Sequence, residues 1–224
     1  MNNFEKAIRG RDRISVIAEL KRFSPSHGKF PEHDIEQLMK AYEKGGASAI
    51  SVVTDAYLFK GSLELLREAR RHTKLPIIRK DFLTKKEHID ASVEAGADAI
   101  LLIARMLDEQ QLQRLATYAH EKGLDTVIEI HDDEDFKKIA GITNTIIGIN
   151  NRNLQTFTTN VRHAEKFLDR INPKFTIIAE SAFSSAEEFA PYFGKIDAVL
   201  IGTALLTSEN PSKALSSFIY ANRP

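Results

Sequence analysis

Charged and polar residues repeatedly end the apolar runs of this chain. Glu19 and Lys21 close "VIAELK", Lys80 and Asp81 close "PIIRKD", Glu129 and His131 close "TVIEIH", and Glu180 with Ser181 closes "TIIAES". Thr54 with Asp55, Arg105, Asn150 with Arg152, and Gly202 with Thr203 hold the matching places in "SVVTD", "LLIAR", "IGINNR" and "VLIGT". Any one of them has a plain reading, a strand turning polar as it leaves the core. The set asks for more, because a charge buried without a partner costs several kcal/mol and a β-branched residue would pack better in those runs. Charges from several strands can neutralise one another around a common mouth. A lysine among carboxylates stays protonated and can donate; a carboxylate beside lysine stays ionised and can accept. The chemistry this suggests is proton transfer.

Two further features would suit a phosphorylated, partly aromatic ligand. Gly202 followed by Thr203 at a helix start lets backbone N–H groups approach a phosphate, with Arg152 and Lys21 able to add charge-assisted bonds; the alternative is a glycine that only turns the chain. Phe23, Phe59 and Phe82 follow the first three strands, either as core or as the wall of an aromatic slot. "HDDED" at 131–135 could be imagined as a metal cluster, but acids in a first helical turn stabilise the helix dipole and adjacent residues do not share a helical face.

The elements that position these residues recur along the chain. "GGASAISVVT" from 45, "AGADAILLIA" from 95, "GITNTIIGIN" from 141 and "GKIDAVLIGT" from 194 share a small residue, a polar step and a β-branched run. Midway between them lie "ISVIAEL" from 14, "LPIIRKDF" from 75, "LDTVIEIH" from 124 and "KFTIIAES" from 174. The intervals, such as "HDIEQLMKAYEKGG", "SLELLREARRH", "DEQQLQRLATYAHEKG", "VRHAEKFLDRI" and "SAEEFAPYF", have helical spacing and helix start and stop residues. Eight apolar strands alternating with amphipathic helices predict an α/β fold, a single (β/α)8 barrel over residues 1–224 whose C-terminal strand ends form the site. An open doubly wound sheet would be expected to carry a Gly-rich fingerprint after its first strand, and "ELKRFSPSHGKF" is not one.

Composition narrows the function classes. Lys plus Arg and Asp plus Glu both number 31 in 224 residues, so no global field favours nucleic acid or an anionic membrane and any anion site is local. The absence of cysteine excludes disulfides and thiolate chemistry. No secretory signal or membrane-length apolar run is visible, which points to a cytoplasmic protein.

"VIAELKRFSPSHG", "SVVTDAYLFKGSLELL", "LPIIRKDF", "GADAILLIARML", "VIEIHD", "IIGINNRNLQTF", "IAES" and "VLIGTALL" resemble, in order and spacing, the motifs of indole-3-glycerol phosphate synthase, over about residues 14–215. The resemblance implies a barrel of tryptophan biosynthesis that closes the indole ring of 1-(2-carboxyphenylamino)-1-deoxyribulose 5-phosphate, releasing carbon dioxide and water. It implies no cofactor and no metal, and other enzymes of the pathway as partners. Carried across by motif, Lys80 would be the general acid that protonates the substrate carbonyl, and Lys21 would pair with a substrate anion and act as a second proton donor. Glu129 would be the base of the last steps, with Glu19 orienting the lysines. Asn150 and Glu180 would hold substrate hydroxyls and the region of the ring nitrogen. Arg152, Ser181, Gly202 and Thr203 would surround the phosphate, and Ser24, Phe59 and Phe82 would shape the anthranilate slot. Arg79 and Asp81 would turn away to structural partners.

Two departures from the family pattern stand out. Ala182 in "ESAF" replaces the glycine of "ESGI", and would strain the loop if that position needs positive φ. The segment before the first strand, "MNNFEKAIRGRDR", is shorter than the family's usual extension, which folds as a helix over the barrel mouth; this affects closure over the substrate. Phosphoribosylanthranilate isomerase shares the barrel but expects a catalytic cysteine. A barrel that only binds phosphorylated ligands has no use for a proton donor opposite a base.

Overall fold

The computed structural model describes residues 2–10, 12–152 and 160–220. Among them eight parallel strands close into a barrel: β1 (Ser15–Leu20), β2 (Ala49–Val53), β3 (Ile77–Lys80), β4 (Ala99–Ile103), β5 (Asp125–Ile130), β6 (Ile146–Asn150), β7 (Thr176–Glu180) and β8 (Ala198–Ile201). Each pairs with its neighbours in sequence, and β8 returns to β1 with Ser15 opposite Ala198. The eight strands match those expected from the repeats.

Helices cover the outside: α2 (Ile35–Gly45), α3 (Leu63–His72), α4 (Lys86–Ala95), α5 (Glu109–Glu121), α6 (Asp133–Lys138), α7 (Glu165–Leu168), α8 (Thr203–Leu206) and α9 (Pro211–Tyr220). Capping side chains start four of them, from Asp34, Ser62, Asp108 and Asp132. Asp34 accepts from the Gln37 N–H to start α2, and Gly46 at φ 93° stops it. Two expected helices are short. "SAEEFAPYF" forms only 3-10 turns at Ala186–Glu188 and Ala190–Tyr192, since Pro191 has no N–H to continue a helix, and "VRHAEKFLDRI" keeps only α7. No helix among the described residues is long and apolar enough to cross a membrane.

The alternation of a β-strand separates two cores. One parity, including Val16, Ile50, Ile77, Ile100, Ile128, Ile147, Ile177 and Val199, packs against the helices. The other, including Ile17, Ala49, Ile78, Ala99, Val127, Ile146, Ile178 and Ala198, fills the barrel. Two or four residues further along that inward face come Glu19, Lys80, Glu129, Asn150 and Glu180. The barrel is dry below and charged above.

This parity also sorts the three adjacent charges of "PIIRKDF". Arg79, one step from Lys80, faces outward, where it donates to Thr54 Oγ1, Ser92 Oγ, the His88 carbonyl and Asp81 Oδ2 (2.7 Å). Thr54 also donates to Asp81 Oδ2 at 2.6 Å. Arg79 and Asp81 therefore tie β3 to β2 and α4.

The segment before β1 forms a short helix, α1 (Asn3–Ile8), at the end of the barrel opposite the charged one. The family's helix over the mouth is not what these residues build. Phe4 and Ile8 are fully buried against the lowest inward layer. The start of α1 has no side-chain cap of its own; instead Asp125, at the start of β5, accepts from the Asn2 and Glu5 N–H groups at 3.2 and 2.9 Å. Thr176 Oγ1 donates to Glu5, and Gly10 N–H to Asp197. Removing the plug should open a cavity that the rigid strand ends cannot fill. Phe4→Ala is expected to lower the free energy of unfolding by about 3 to 5 kcal/mol in urea titrations; a loss below about 1 kcal/mol would mean that α1 only decorates the barrel.

Candidate active site

At the mouth, Lys80 Nζ lies 2.7 Å from Glu180 Oε2 and 3.1 Å from Glu129 Oε2. The two carboxylates are almost wholly buried, while the lysine remains partly open to the pocket. Two carboxylates share one cation, and their proton affinities divide. For Glu129, burial favours the neutral acid, but Lys80 and His131 outweigh it and hold the carboxyl well below the usual range. For Glu180, burial, reinforced by the charges of Glu129 and Glu19, outweighs Lys80 and pushes it up to about 7. Burial alone would lower the Lys80 proton affinity; Glu180, Glu129 and Glu19 reverse that, so Lys80 is firmly protonated.

Glycine makes room for this cluster. A Cβ on Gly148, in the middle of β6, would overlap the Glu180 carboxylate. A glycine inside a strand marks a close approach, and "IIGIN" carried that signal. Gly202 plays the same part beside a second pair. Lys21 Nζ is 2.6 Å from Glu19 Oε1, and a Cβ on Gly202 would overlap Glu19 and stand 3.0 Å from Lys21 Nζ. Tyr42, wholly buried, donates its hydroxyl to the Glu19 carbonyl and pins the end of β1 from α2.

One pocket gathers most of the residues expected from sequence: Glu19, Lys21, Ser24, Phe59, Lys80, Phe82, Glu129, Asn150, Arg152 and Ser181 all line it. Phe59 and Phe82 stand 6.4 Å apart and tilted by 38°. With Leu101 and Ile103, which the sequence reading did not single out, they form its apolar wall. Asp55 accepts from the Leu58 and Phe59 N–H groups at 2.6 and 3.1 Å and so presents Phe59, while Asp81 accepts from Phe82 N–H at 2.8 Å. Ser24 is buried, its hydroxyl accepting from His27 N–H. Asn150 accepts from the Arg152 N–H through its side-chain oxygen.

The remaining expected residues lie elsewhere. Glu180 and Gly202 are buried just behind the pocket surface, and Thr203 is an exposed first residue of α8. Phe23 is half-buried in a two-stranded hairpin with Gly28–Lys29, and Arg105 pairs with Asp132 at the rim. Residues 153–159, which include the last five of "NNRNLQTF", lie outside the described residues. In "HDDED", Asp132 caps α6 by accepting from Glu134 and Asp135 N–H, Asp133 pairs with Arg170, and Asp135 accepts from His131 N–H. These contacts are those of a helix start.

The turn after β7 holds Ser181 at φ 66° and Ala182 at φ 77°. Ala182 thus occupies the left-handed conformation that the family's glycine adopts freely, held there while Asn151 N–H donates to the Glu180 carbonyl at 2.9 Å. Such a residue carries on the order of 1 kcal/mol of strain. Ala182→Gly removes that strain but loosens the unfolded chain, and the first effect should win where φ is positive. We expect about 0.5 to 1 kcal/mol of added stability by urea unfolding; a destabilised variant would show that the turn is unstrained.

The family model for indole-3-glycerol phosphate synthase matches residues 1–218. Proteins of that name from Pyrococcus furiosus and Aquifex aeolicus are 39% and 41% identical, over 96% and 97% of this chain and 96% and 85% of their own. Among solved structures, the tryptophan synthase alpha subunit of Legionella pneumophila superposes with a TM-score of 0.68 at 18% identity, covering 99% of this chain and 98% of its own, a likeness of fold alone. With the charged mouth, the apolar slot and the matched motifs in one barrel, the chain belongs to the indole-3-glycerol phosphate synthase family.

Proposed function

We propose that Lys80, Glu129 and Lys21 divide the proton transfers of the indole-3-glycerol phosphate synthase reaction among them. The substrate class is a small phosphorylated molecule, here 1-(2-carboxyphenylamino)-1-deoxyribulose 5-phosphate. Its phosphate goes toward Arg152, Ser181 and the turn around Gly202 and Thr203, and its aromatic ring between Phe59 and Phe82 beside Ser24. The ring carbon bearing the carboxylate attacks the ketone carbon as Lys80 protonates the ketone oxygen. The carbon–carbon bond forms, and the ring becomes a cationic iminium. That cation takes up the electrons of the breaking carboxylate bond, so carbon dioxide leaves without an electron-sink cofactor. Water departs next, Lys21 protonating the leaving hydroxyl and Glu129 taking a proton from the methylene beside the ring nitrogen, whose C–H electrons form the double bond of the five-membered indole ring. Glu19 holds Lys21, Asn150 holds a substrate hydroxyl, and Glu180, buried behind the pocket surface, acts on the region of the ring nitrogen through Lys80.

The observation that carries this reading is Lys80 suspended between two buried carboxylates beside an apolar slot. It couples acid to base. While Lys80 is charged, Glu129 is a weak base; once Lys80 has delivered its proton, the cation that depressed Glu129 is gone and its basicity rises for the final step. The protein's remaining contribution is orientation and a preorganised field. A cytoplasmic location and contacts with other tryptophan-pathway enzymes belong to the same reading, supported by a phosphorylated substrate that does not cross membranes unaided.

Lys80→Ala is expected to fold, because Glu129 and Glu180 can then share a proton, and to lose at least about a hundredfold in kcat. A fluorescence assay of product formation reads this directly, and near-normal turnover would remove Lys80 from the role of acid. A second measurement uses Glu180. Its proton affinity is raised in the folded state, so the stability tied to its proton is present below its unfolded value near 4.5 and lost as pH rises through about 7. Raising pH from 5 to 8 should therefore shift unfolding free energy against the wild type relative to Glu180→Gln by on the order of 2 kcal/mol. A difference independent of pH would contradict a protonated Glu180 at the mouth.

A further inference from the structure

His131 is the buried titratable group that the chemistry above leaves unused. It follows β5 directly, is 5% exposed, and shares with Glu129 the strand parity that faces the mouth. Its Nε2 lies 3.2 Å from Glu129 Oε1, and its Nδ1 lies 3.5 Å from Asp135 Oδ2. Neither ring nitrogen meets its neighbour in an aligned hydrogen bond, so the ring contributes chiefly through charge. The Glu129 carboxylate thus has a basic group beside each oxygen: Oε1 faces His131, and Oε2 faces Lys80 at 3.1 Å. Asp135, 2% exposed in the first turn of α6, is fixed in turn by accepting the His131 backbone N–H at 3.0 Å. His163 approaches from the segment before α7, but it contacts the His131 carbonyl and not its ring.

We infer that His131 is a positioning residue for the base: its imidazolium, anchored by Asp135, holds one oxygen of Glu129 so that the other stays directed at the reacting centre after Lys80 has given up its proton. The inference rests on Glu129 being that base. A buried carboxylate with Lys80 as its sole cation would be left unpaired at that moment, and would turn away or take a proton too early. With His131 in place the carboxylate keeps one partner throughout the cycle. Burial lowers the proton affinity of the imidazole, but the Asp135 and Glu129 carboxylates outweigh it and push it up to about 9, so the cation persists at neutral pH. The arrangement extends the base outward from the barrel, Glu129 to His131 to Asp135, from β5 into α6.

The test compares kcat and KM from pH 6 to 10 for the wild type, His131→Asn, Asp135→Asn, Glu129→Gln, and the His131→Asn, Glu129→Gln double variant. We expect the wild type to lose kcat on the alkaline side near pH 9 as His131 loses its charge. His131→Asn should lack that limb and fall by about ten- to a hundredfold in kcat, with KM within about twofold. Asp135→Asn, which leaves the imidazole in place, should move the limb to lower pH. In the Glu129→Gln background, His131→Asn should cost nothing further, since both act through one group. An alkaline limb that neither substitution moves, or an equal fractional loss with and without Glu129, would overturn the inference. Full turnover by Glu129→Gln alone would instead defeat the assignment of Glu129 as base.

Discussion

Three charges placed at the top of an apolar barrel set the terms for the rest of this molecule. Taking Lys80, Glu129 and Glu180 out of water costs several kcal/mol for each ion, and mutual attraction offsets that only where the geometry is close. The neighbouring features serve that geometry. Gly148 leaves the space that the Glu180 carboxylate fills, Ile78, Val127 and Ile178 make a dry floor under the cluster, and Arg79 with Asp81 ties the end of β3 to its neighbours from outside. The cluster is weak as a source of stability and strong as a device for separating proton affinities.

The proton affinities of three groups at one mouth are thereby set far apart. A lone lysine in such a setting would tend to lose its proton on burial, and a lone glutamate to gain one. Side by side they reverse each other's tendency, and the second glutamate stays near its own midpoint at neutral pH. The state of one group is then information for the next. At 3.1 Å, any change in the charge of Lys80 would alter the field at Glu129 directly.

At the end of β7 the rim of the mouth carries backbone strain. Ser181 and Ala182 both adopt positive φ, a conformation that costs a residue with a side chain, directly after the Glu180 carbonyl that accepts the Asn151 N–H. The opposite end of the barrel shows the reverse economy. There α1 inserts Phe4 and Ile8, and Asp125 and Asp197 from two strand starts take up backbone N–H groups near the chain's start. Chemistry sits at one end and closure at the other.

Much of this was legible in the residues themselves. The alternation of β-branched runs with amphipathic segments, and polar types at the ends of those runs, determined the barrel and most of the polar residues of its mouth, because strand parity and helical period are local properties of backbone geometry. Parity alone separates Lys80 from Arg79. The tertiary structure decided which partner each charge finds: Lys80 meets Glu129 and Glu180 across 49 and 100 positions of chain, distances over which no local spacing specifies contact. It likewise decided that α1 closes the far end, that Leu101 and Ile103 complete the apolar wall, that Thr203 is exposed and does not line the pocket, and that His131 stands between Glu129 and Asp135. Those outcomes depend on the tilt and register at which the sheet closes, and closure is a property of all eight strands together.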